Sequence, residues 1–174
     1  DISAADANAI AKATNGVVTA TIKDGSVAAT LKALADVDVA GGDTDVLKFT
    51  ATDKSAKASD IAALDAKLGT ANTDFGSVKT VTGTAADTAD IGAALALATI
   101  AAVNPEVKIS GTVAAADFAA LTTILGSTGG KVTATLEAGT ANDLATALAD
   151  ASVGQTVLNA INVTVNNTSV GDAG

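Results

Sequence analysis

Short segments in which apolar and polar residues alternate recur along the chain, and each predicts a β-strand. In the first of them, Val18, Ala20 and Ile22 would lie on one side of the strand, with Thr19 and Thr21 on the other. Because successive side chains of a strand point to opposite faces, this alternation indicates one apolar face and one polar face. The pattern returns in three further segments, residues 47–52, 132–136 and 161–165.

An Ala- and Leu-rich segment with the apolar spacing of an amphipathic helix follows most of these strands. Val27, Leu31 and Leu34 are separated by four and three positions, which places them on one helical face. Residues 91–103 carry no charge and predict one buried helix that is too short to cross a bilayer. Two further triplets have the same helical spacing, Ile61, Leu64 and Leu68, and Phe118, Leu121 and Leu125.

Helix boundaries are also marked in the sequence. Ser3 with Asp6, and Thr140 with Asp143, have the three-residue spacing of an N-terminal capping box with Asp in the Glu position. Glycines that follow a helical segment supply the left-handed residue with which many helices end. Gly16, Gly69 and Gly154 are predicted to do so.

The strand and helix segments form an internal repeat. Strand-like segments start near Val17, Val46, Val78, Val107, Val132 and Ile161, at similar intervals along the chain. Such a period is typical of proteins built from stacked repeats. We therefore predict one repeat domain over residues 1–174, with about six strand–helix units of roughly 25–32 residues each.

A regular alternation of strand and helix implies an α/β fold with parallel strands. In a doubly wound α/β fold the sheet is covered on both faces, and its strands would read as continuous apolar runs. The polar second face of these strands instead favours a one-sided parallel β-α repeat solenoid with a leucine-rich-repeat-like layout. An ordinary α/β layer fold is the alternative.

The repeat pattern indicates that the chain begins and ends inside a unit. The opening residues align with the helical part of a later unit, so that Ile2 matches Val113, Asp6 matches Asp117 and Ile10 matches Leu121. Ends that are simply capped are one interpretation. Two others are that the chain is an excerpt of a longer repeat protein, or that its last strand completes the first unit of another copy in a head-to-tail filament. Both predict self-association at the ends or contact with neighbouring repeats.

The amino-acid composition argues against most kinds of catalysis and against several classes of binding partner. The sequence contains no His, Cys, Met, Trp, Tyr or Arg, so the usual general base near neutral pH and the thiolate nucleophile are missing. We therefore predict that the protein is not an enzyme. The net charge of −9 and the lack of Arg argue against nucleic-acid binding, and no segment predicts membrane insertion.

An acidic stretch at residues 36–45 is the one candidate metal site. Two Asp-x-Asp pairs flank a Gly-Gly turn and would offer oxygen ligands to Ca²⁺, although the spacing is not that of an EF-hand. The alternative is a solvated turn whose carboxylates cap backbone groups. The candidate calcium ligands are Asp36, Asp38, Asp43 and Asp45.

Thr-x-Thr pairs on the polar strand face suggest a second kind of site. If the strands are parallel and in register, these pairs would stack into two ranks, a surface of the type that ice-binding solenoids present. The alternative is that Thr is a favourable residue on an exposed strand face. The pairs are Thr19 with Thr21, Thr50 with Thr52, Thr80 with Thr82, and Thr133 with Thr135.

The repeat units resemble those of large bacterial cell-surface proteins of the adhesin, S-layer and exoprotein type. The resemblance rests on units such as VKISGTVAAADFAALTTIL and VTATLEAGTANDLATALADA and covers nearly the whole chain. It implies an extracellular or cell-surface location, often with calcium, and a scaffolding or adhesive role. We expect a non-enzymatic structural or assembly module, such as a surface layer, an adhesin stalk or a filament subunit, that stacks end to end. The alternative function is a module that binds calcium, a glycan or ice.

Overall fold

The protein, seen in a computed structural model, is an α/β fold whose described residues form six α-helices and parallel strands in two sheets. The structure describes residues 1–35, 37 and 45–138, together with the backbone of residues 160–162. The helices are α1 (Ala4–Ala13), α2 (Val27–Ala33), α3 (Ala58–Leu68), α4 (Thr88–Ala96), α5 (Ala98–Ala101) and α6 (Phe118–Ser127). The strands are β1 (Thr19–Thr21), β2 (Val46–Thr50), β3 (Ser55–Lys57), β4 (Thr73–Asp74), β5 (Thr80–Thr84), β6 (Glu106–Val113), β7 (Val132–Leu136) and β8 (Ala160–Asn162).

The first sheet has the strand order β1-β2-β4, and the second has the order β3-β5-β6-β7-β8. All pairings between these strands are parallel, which confirms the prediction of parallel strands. Within the described residues neither sheet closes on itself to form a barrel. The fold is therefore α/β with open parallel sheets.

The strand register differs in detail from the pattern of predicted strand starts. That pattern would set Val17 opposite Val46, whereas the structure pairs Thr19 with Val46. The next predicted interval, from Val46 to Val78, is too long because it overlooks β3 and β4. These strands of three and two residues are too short to show an alternating pattern, and they pair with β5 and β2 respectively.

The core lies between the apolar strand faces and the helices, and the predicted helical triplets contribute to it. Ile61, Leu64 and Leu68 of α3 are buried, and Phe118, Leu121 and Leu125 of α6 are buried. One register position of the second sheet supplies a buried rank of small aliphatic side chains, Ala56, Val81, Val107 and Val132. The opposite strand face is polar and exposed or half-buried, as the alternation predicts.

The helices contact one another in chain order. Helix α2 contacts both α1 and α3, and α4 contacts α3 and α6. Each unit therefore meets the next one through its helix as well as through its strands.

The predicted single helix over residues 91–103 is wrong, because α4 and α5 are separate helices. The break falls at Leu97, whose backbone is extended with φ −67° and ψ 127°. No Pro or Gly lies at the break, and the residues that follow it contact the neighbouring unit. The hydroxyl of Thr99 accepts a hydrogen bond from the Phe75 amide at 3.3 Å, and Ile100 is fully buried.

The predicted helix boundaries are confirmed in part. The Ser3 hydroxyl accepts a hydrogen bond from the Asp6 amide at 3.1 Å and donates one to the Asp6 carboxylate at 2.7 Å. Gly69 ends α3 with φ 83°, as predicted. The prediction for Gly16 is wrong because α1 ends at Ala13, the following Thr14 is extended, and Gly16 has no positive φ. The predictions for Thr140, Asp143 and Gly154 lie outside the described residues.

Candidate functional site

Carboxylates that join neighbouring units are the most distinctive polar feature of the molecule. Helix α2 follows Ser26, whose side chain makes no capping hydrogen bond. The Val27 amide at the start of that helix instead donates to Asp53 Oδ2 of the next unit at 2.6 Å. Because the first amides of a helix have no partner inside it, a carboxylate there satisfies a donor and favours the helix dipole.

The same arrangement recurs near the other end of the described chain. The turn of 3₁₀ helix at Ala115–Asp117 that leads into α6 follows Ala114, which has no side chain able to cap it. The Ala115 amide donates to Glu137 Oε2 of the following unit at 3.1 Å. Both acceptors come from the next unit along the chain, so each couples two units directly.

Asp45, one of the four candidate calcium ligands, has a comparable role. Its Oδ1 accepts a hydrogen bond from the Val18 amide of the preceding unit at 2.8 Å. The other three candidates, Asp36, Asp38 and Asp43, lie outside the described residues. Among the residues that the structure does describe, no cluster of three or more acidic side chains could hold a metal ion. Calcium binding at residues 36–45 therefore stays a prediction.

Calcium binding is open to a direct test. If residues 36–45 bind the ion in the native state alone, saturating Ca²⁺ raises the melting temperature. The quadruple variant with Asn in place of Asp36, Asp38, Asp43 and Asp45 is then expected to lose that increase. An unchanged melting temperature in the wild-type protein would remove the calcium hypothesis.

The Thr pairs do not stack into the two ranks described above, although the strands are parallel. Thr19 and Thr21 lie opposite Val46 and Lys48, and Thr52 falls outside β2. In the second sheet, Thr80 and Thr82 lie opposite Glu106 and Lys108. The register therefore places charged or aliphatic residues beside most of the Thr side chains, and a continuous Thr array is absent from the described strands.

A shallow groove lies on the outer face of the first sheet. It has a volume of about 280 Å³ and is lined in part by Thr21, Lys48, Thr50, Asn72 and Asp74. Two of these polar groups already serve the adjacent turns: Asn72 Nδ2 donates to the Leu68 carbonyl at 2.8 Å, and Asp74 Oδ1 accepts from the Gly76 amide at 2.8 Å. The groove is at the small end of the range of ligand pockets. Its lining offers no paired nucleophile and general base.

A second groove of about 200 Å³ lies where α2 meets β3 and α3. Ser26, Asp53, Lys57 and Asp60 are among its lining residues. Because Asp53 caps α2 from this position, the groove marks the junction of two units. One of its polar groups, the Asp53 carboxylate, serves that structural contact.

The Asp87 carboxylate is another polar group with a structural role. Its pKa is lowered, first because Oδ2 accepts a hydrogen bond from the Thr84 amide at 2.7 Å, and next because the Thr84 hydroxyl donates to the same oxygen at 2.8 Å. Lys57 lowers this pKa further through its charge. Thr84 and Asp87 form a capping box at the turn that precedes α4.

Sequence reasoning missed the carboxylates that join units. It assigned individual Asp residues to turns, to helix caps within a unit and to calcium. A cap supplied by the next unit depends on the strand register, which the sequence does not display. The available signal was indirect: Ala114 precedes a helical turn without any capping side chain of its own.

None of the described helices combines the length and apolar character that a membrane crossing requires. Comparison with protein-family models, with curated proteins and with solved structures finds no match to this chain.

Proposed function

We propose that this chain is a non-enzymatic structural module, a one-sided β-α solenoid that stacks end to end in an extracellular or cell-surface assembly. The class of assembly is that of a surface layer, an adhesin stalk or a filament. The observation that carries the proposal is the way in which each unit contacts the next one. Parallel strand pairing, helix packing and backbone-to-carboxylate hydrogen bonds all join units that are neighbours in the chain.

Nearest-neighbour contact of this kind is the defining property of a solenoid. The strand register supports it, since Thr19 pairs with Val46, Thr80 with Glu106, and Val107 with Val132, each one repeat further along the chain. The polar outer strand face supports the one-sided form. A second layer of helices would require apolar side chains there, and Lys48, Glu106 and Lys108 are exposed.

Stacking beyond the chain itself is supported by an exposed apolar residue on α1. Ile10 is 47% exposed, whereas Leu121 at the corresponding position of α6 is 2% exposed. Among the described helices, the main contact of α1 is with α2, and that contact leaves the Ile10 side chain exposed. Another unit packed there would bury Ile10 as its counterpart is buried.

The proposed location rests on composition and on the resemblance of the repeat units to bacterial surface proteins. The chain has no Cys, Met or Trp, the side chains most sensitive to oxidation, and it carries a net charge of −9. A structural role outside the cell is compatible with both features. Immunogold labelling of intact source cells with an antibody to this chain tests the location, and label confined to the cell interior would contradict it.

The assembly proposal is tested by sedimentation velocity and electron microscopy of the purified chain over a wide concentration range. We expect species that grow in length with concentration, and growth that strengthens with salt because the acidic chains repel one another. The double variant Ile10→Lys with Val17→Lys should reduce the growth, since both residues are exposed. Ala89→Lys with Ala119→Lys, two exposed positions on α4 and α6, is the matched control. A wild-type chain that stays monomeric at all concentrations and salt levels would overturn the proposal.

A further inference from the structure

The segment that joins α1 to β1 contains the one Asn-Gly dipeptide of the sequence, Asn15-Gly16. Both residues are exposed, and both lie in a bend outside helix and strand. Among the described residues none forms a hydrogen bond with the Asn15 side chain. That side-chain amide can therefore move toward the backbone that follows it.

The backbone nitrogen of Gly16 is accessible as well. The Gly16 amide donates to Thr14 Oγ1 at 3.1 Å, an exposed contact between residues that are two positions apart. The first contact that ties this segment to the next unit comes later, where the Val18 amide donates to Asp45 Oδ1 at 2.8 Å. Because Gly has no Cβ, its neighbours can approach its nitrogen more closely than that of any other residue.

The other asparagines whose side chains the structure describes each lack one of these features. Asn8 lies inside α1, where the amide that follows it belongs to the helical hydrogen-bond pattern. The Asn72 Nδ2 donates to the Leu68 carbonyl at 2.8 Å, which holds that side chain in place. Asn104 precedes Pro105, whose nitrogen carries no hydrogen and cannot act as a nucleophile.

We propose that Asn15 is a site of spontaneous deamidation, a backbone-assisted modification that converts its side-chain amide into a carboxylate. The Gly16 nitrogen loses its proton and attacks Asn15 Cγ. A bond forms between that nitrogen and Cγ, the bond from Cγ to Nδ2 breaks, and the Nδ2 group takes up a proton and leaves as ammonia. Water then opens the succinimide ring at either carbonyl, which yields aspartate or isoaspartate at this position.

The fold should tolerate both products. Each adds one negative charge to a chain whose net charge is −9, and isoaspartate also lengthens the backbone by one carbon atom. This change falls between the end of α1 and the Val18 amide that Asp45 holds, so residues 14–17 can absorb it. The modified protein should therefore keep the wild-type circular-dichroism spectrum and elute as a more acidic species. The inference does not depend on the proposed function.

The test follows the wild-type chain in native buffer at mildly alkaline pH, with tryptic peptides analysed by mass spectrometry. The peptide of residues 13–23 should gain the mass expected when an amide is replaced by an acid. The peptides of residues 1–12 and 68–79, which contain Asn8 and Asn72, should stay unchanged over the same period. Hydroxylamine, which traps a succinimide, should cleave the native chain between Asn15 and Gly16.

Two variants identify the reacting groups. Gly16→Ala should slow the modification by about tenfold or more, because Ala restricts the backbone. It should also fold, since the new Cβ would meet only Thr14 Oγ1, at 3.5 Å. Asn15→Gln should abolish the modification, because its longer side chain forms the corresponding ring far more slowly.

Three outcomes would overturn the inference. The first is an Asn72 that deamidates as fast as Asn15 in native buffer, a comparison made within the wild-type chain that needs no variant. The second is an unaltered rate in Gly16→Ala when that variant has the wild-type circular-dichroism spectrum. The third is an Asn15 that reacts in urea but not in native buffer, because the bend would then protect the residue.

Discussion

The middle of the molecule and its first unit are built from the same kind of segment but reach different degrees of burial. Helix α4 contacts helices on two sides, and β5 and β6 have neighbours on both edges. Among the described residues, the main helix contact of α1 is with α2, and the one bridge on the outer edge of β1 is at Ile2. Ile91 of α4 is fully buried, whereas Ile10 of α1 is 47% exposed.

On the proposed stacking of units, this difference is expected, because much of the core is then made between neighbouring units. A strand and a short helix of Ala, Val and Leu bury little apolar area by themselves, so a unit is stabilised by the units on either side. The carboxylates of Asp53 and Glu137 also stabilise a neighbour, since each accepts a hydrogen bond from the start of a helical segment in the preceding unit. A unit with one neighbour should therefore be the least stable part of the chain.

The largest expected effect comes from truncating matched apolar residues in the two regions. Leu121→Ala removes a side chain that is 2% exposed, and it should lower the free energy of unfolding by about 2–5 kcal/mol. Ile10→Ala at the corresponding position of α1 should lower it by less than about 1 kcal/mol, because the side chain is half in solvent. Urea denaturation of dilute, monomeric protein measures both values. Equal losses would contradict the contrast between the regions.

Substitutions at two glycines compare a position packed against the preceding unit with an open position on a helix. A Cβ on Gly130 would overlap the Pro105 backbone of the preceding unit, so Gly130→Ala should destabilise the protein by about 1–3 kcal/mol. A Cβ on Gly92 of α4 would meet nothing within 4 Å, so Gly92→Ala should stabilise it by roughly 0.5–1 kcal/mol through helix propensity. Thermal unfolding separates the two, and a destabilising Gly92→Ala would show that α4 is packed differently.

Removing a cap that comes from the next unit should have a smaller effect. Asp53→Ala leaves the Val27 amide without its acceptor and should cost about 1 kcal/mol of stability. Asp53→Asn keeps an acceptor oxygen and should recover part of that loss. Asp24→Ala changes an exposed carboxylate in the same region and serves as the control. If Asp24→Ala were as destabilising as Asp53→Ala, net charge rather than capping would explain the result.

Features set by residues close together in the sequence could be predicted, whereas features set by contacts between distant residues could not. The helical triplets, such as Ile61, Leu64 and Leu68, are local patterns, and the structure buries all three residues. Parallel pairing could be predicted because the repeat of strand and helix requires it. The cap from Asp53 depends on the neighbouring unit. No local pattern indicates the lengths of β3 and β4 or the break at Leu97.

The same distinction applies to the candidate sites. The predicted ranks of Thr side chains required a particular strand register. The observed register of β5 and β6 instead sets Glu106 and Lys108 opposite Thr80 and Thr82. Asp45 could be recognised as a turn carboxylate, but its bond to the Val18 amide of the preceding unit could not. The absence of a residue type can be read from the sequence without a structure, whereas a contact between units cannot.

The smallest expected effect is a dependence of stability on pH. The hydrogen bonds from Thr84 lower the pKa of Asp87 in the folded state, so the ionised carboxylate stabilises the fold at pH values above its unfolded pKa. That contribution is lost as the pH falls below about 4 and through the lowered folded pKa. Asp87→Asn should therefore be less stable than the wild-type protein at pH 6, with the difference shrinking toward pH 2. A difference that is constant with pH would contradict this role.

Hydrogen–deuterium exchange measured at several protein concentrations tests the central claim most directly, because it follows each unit separately while copies stack. If units are stabilised by their neighbours, amides of α1 and β1 exchange fastest in dilute protein and become protected as the concentration rises, while those of α4 and β5 change little. Exchange in α1 that stays the same at concentrations where sedimentation shows assembly would contradict the account.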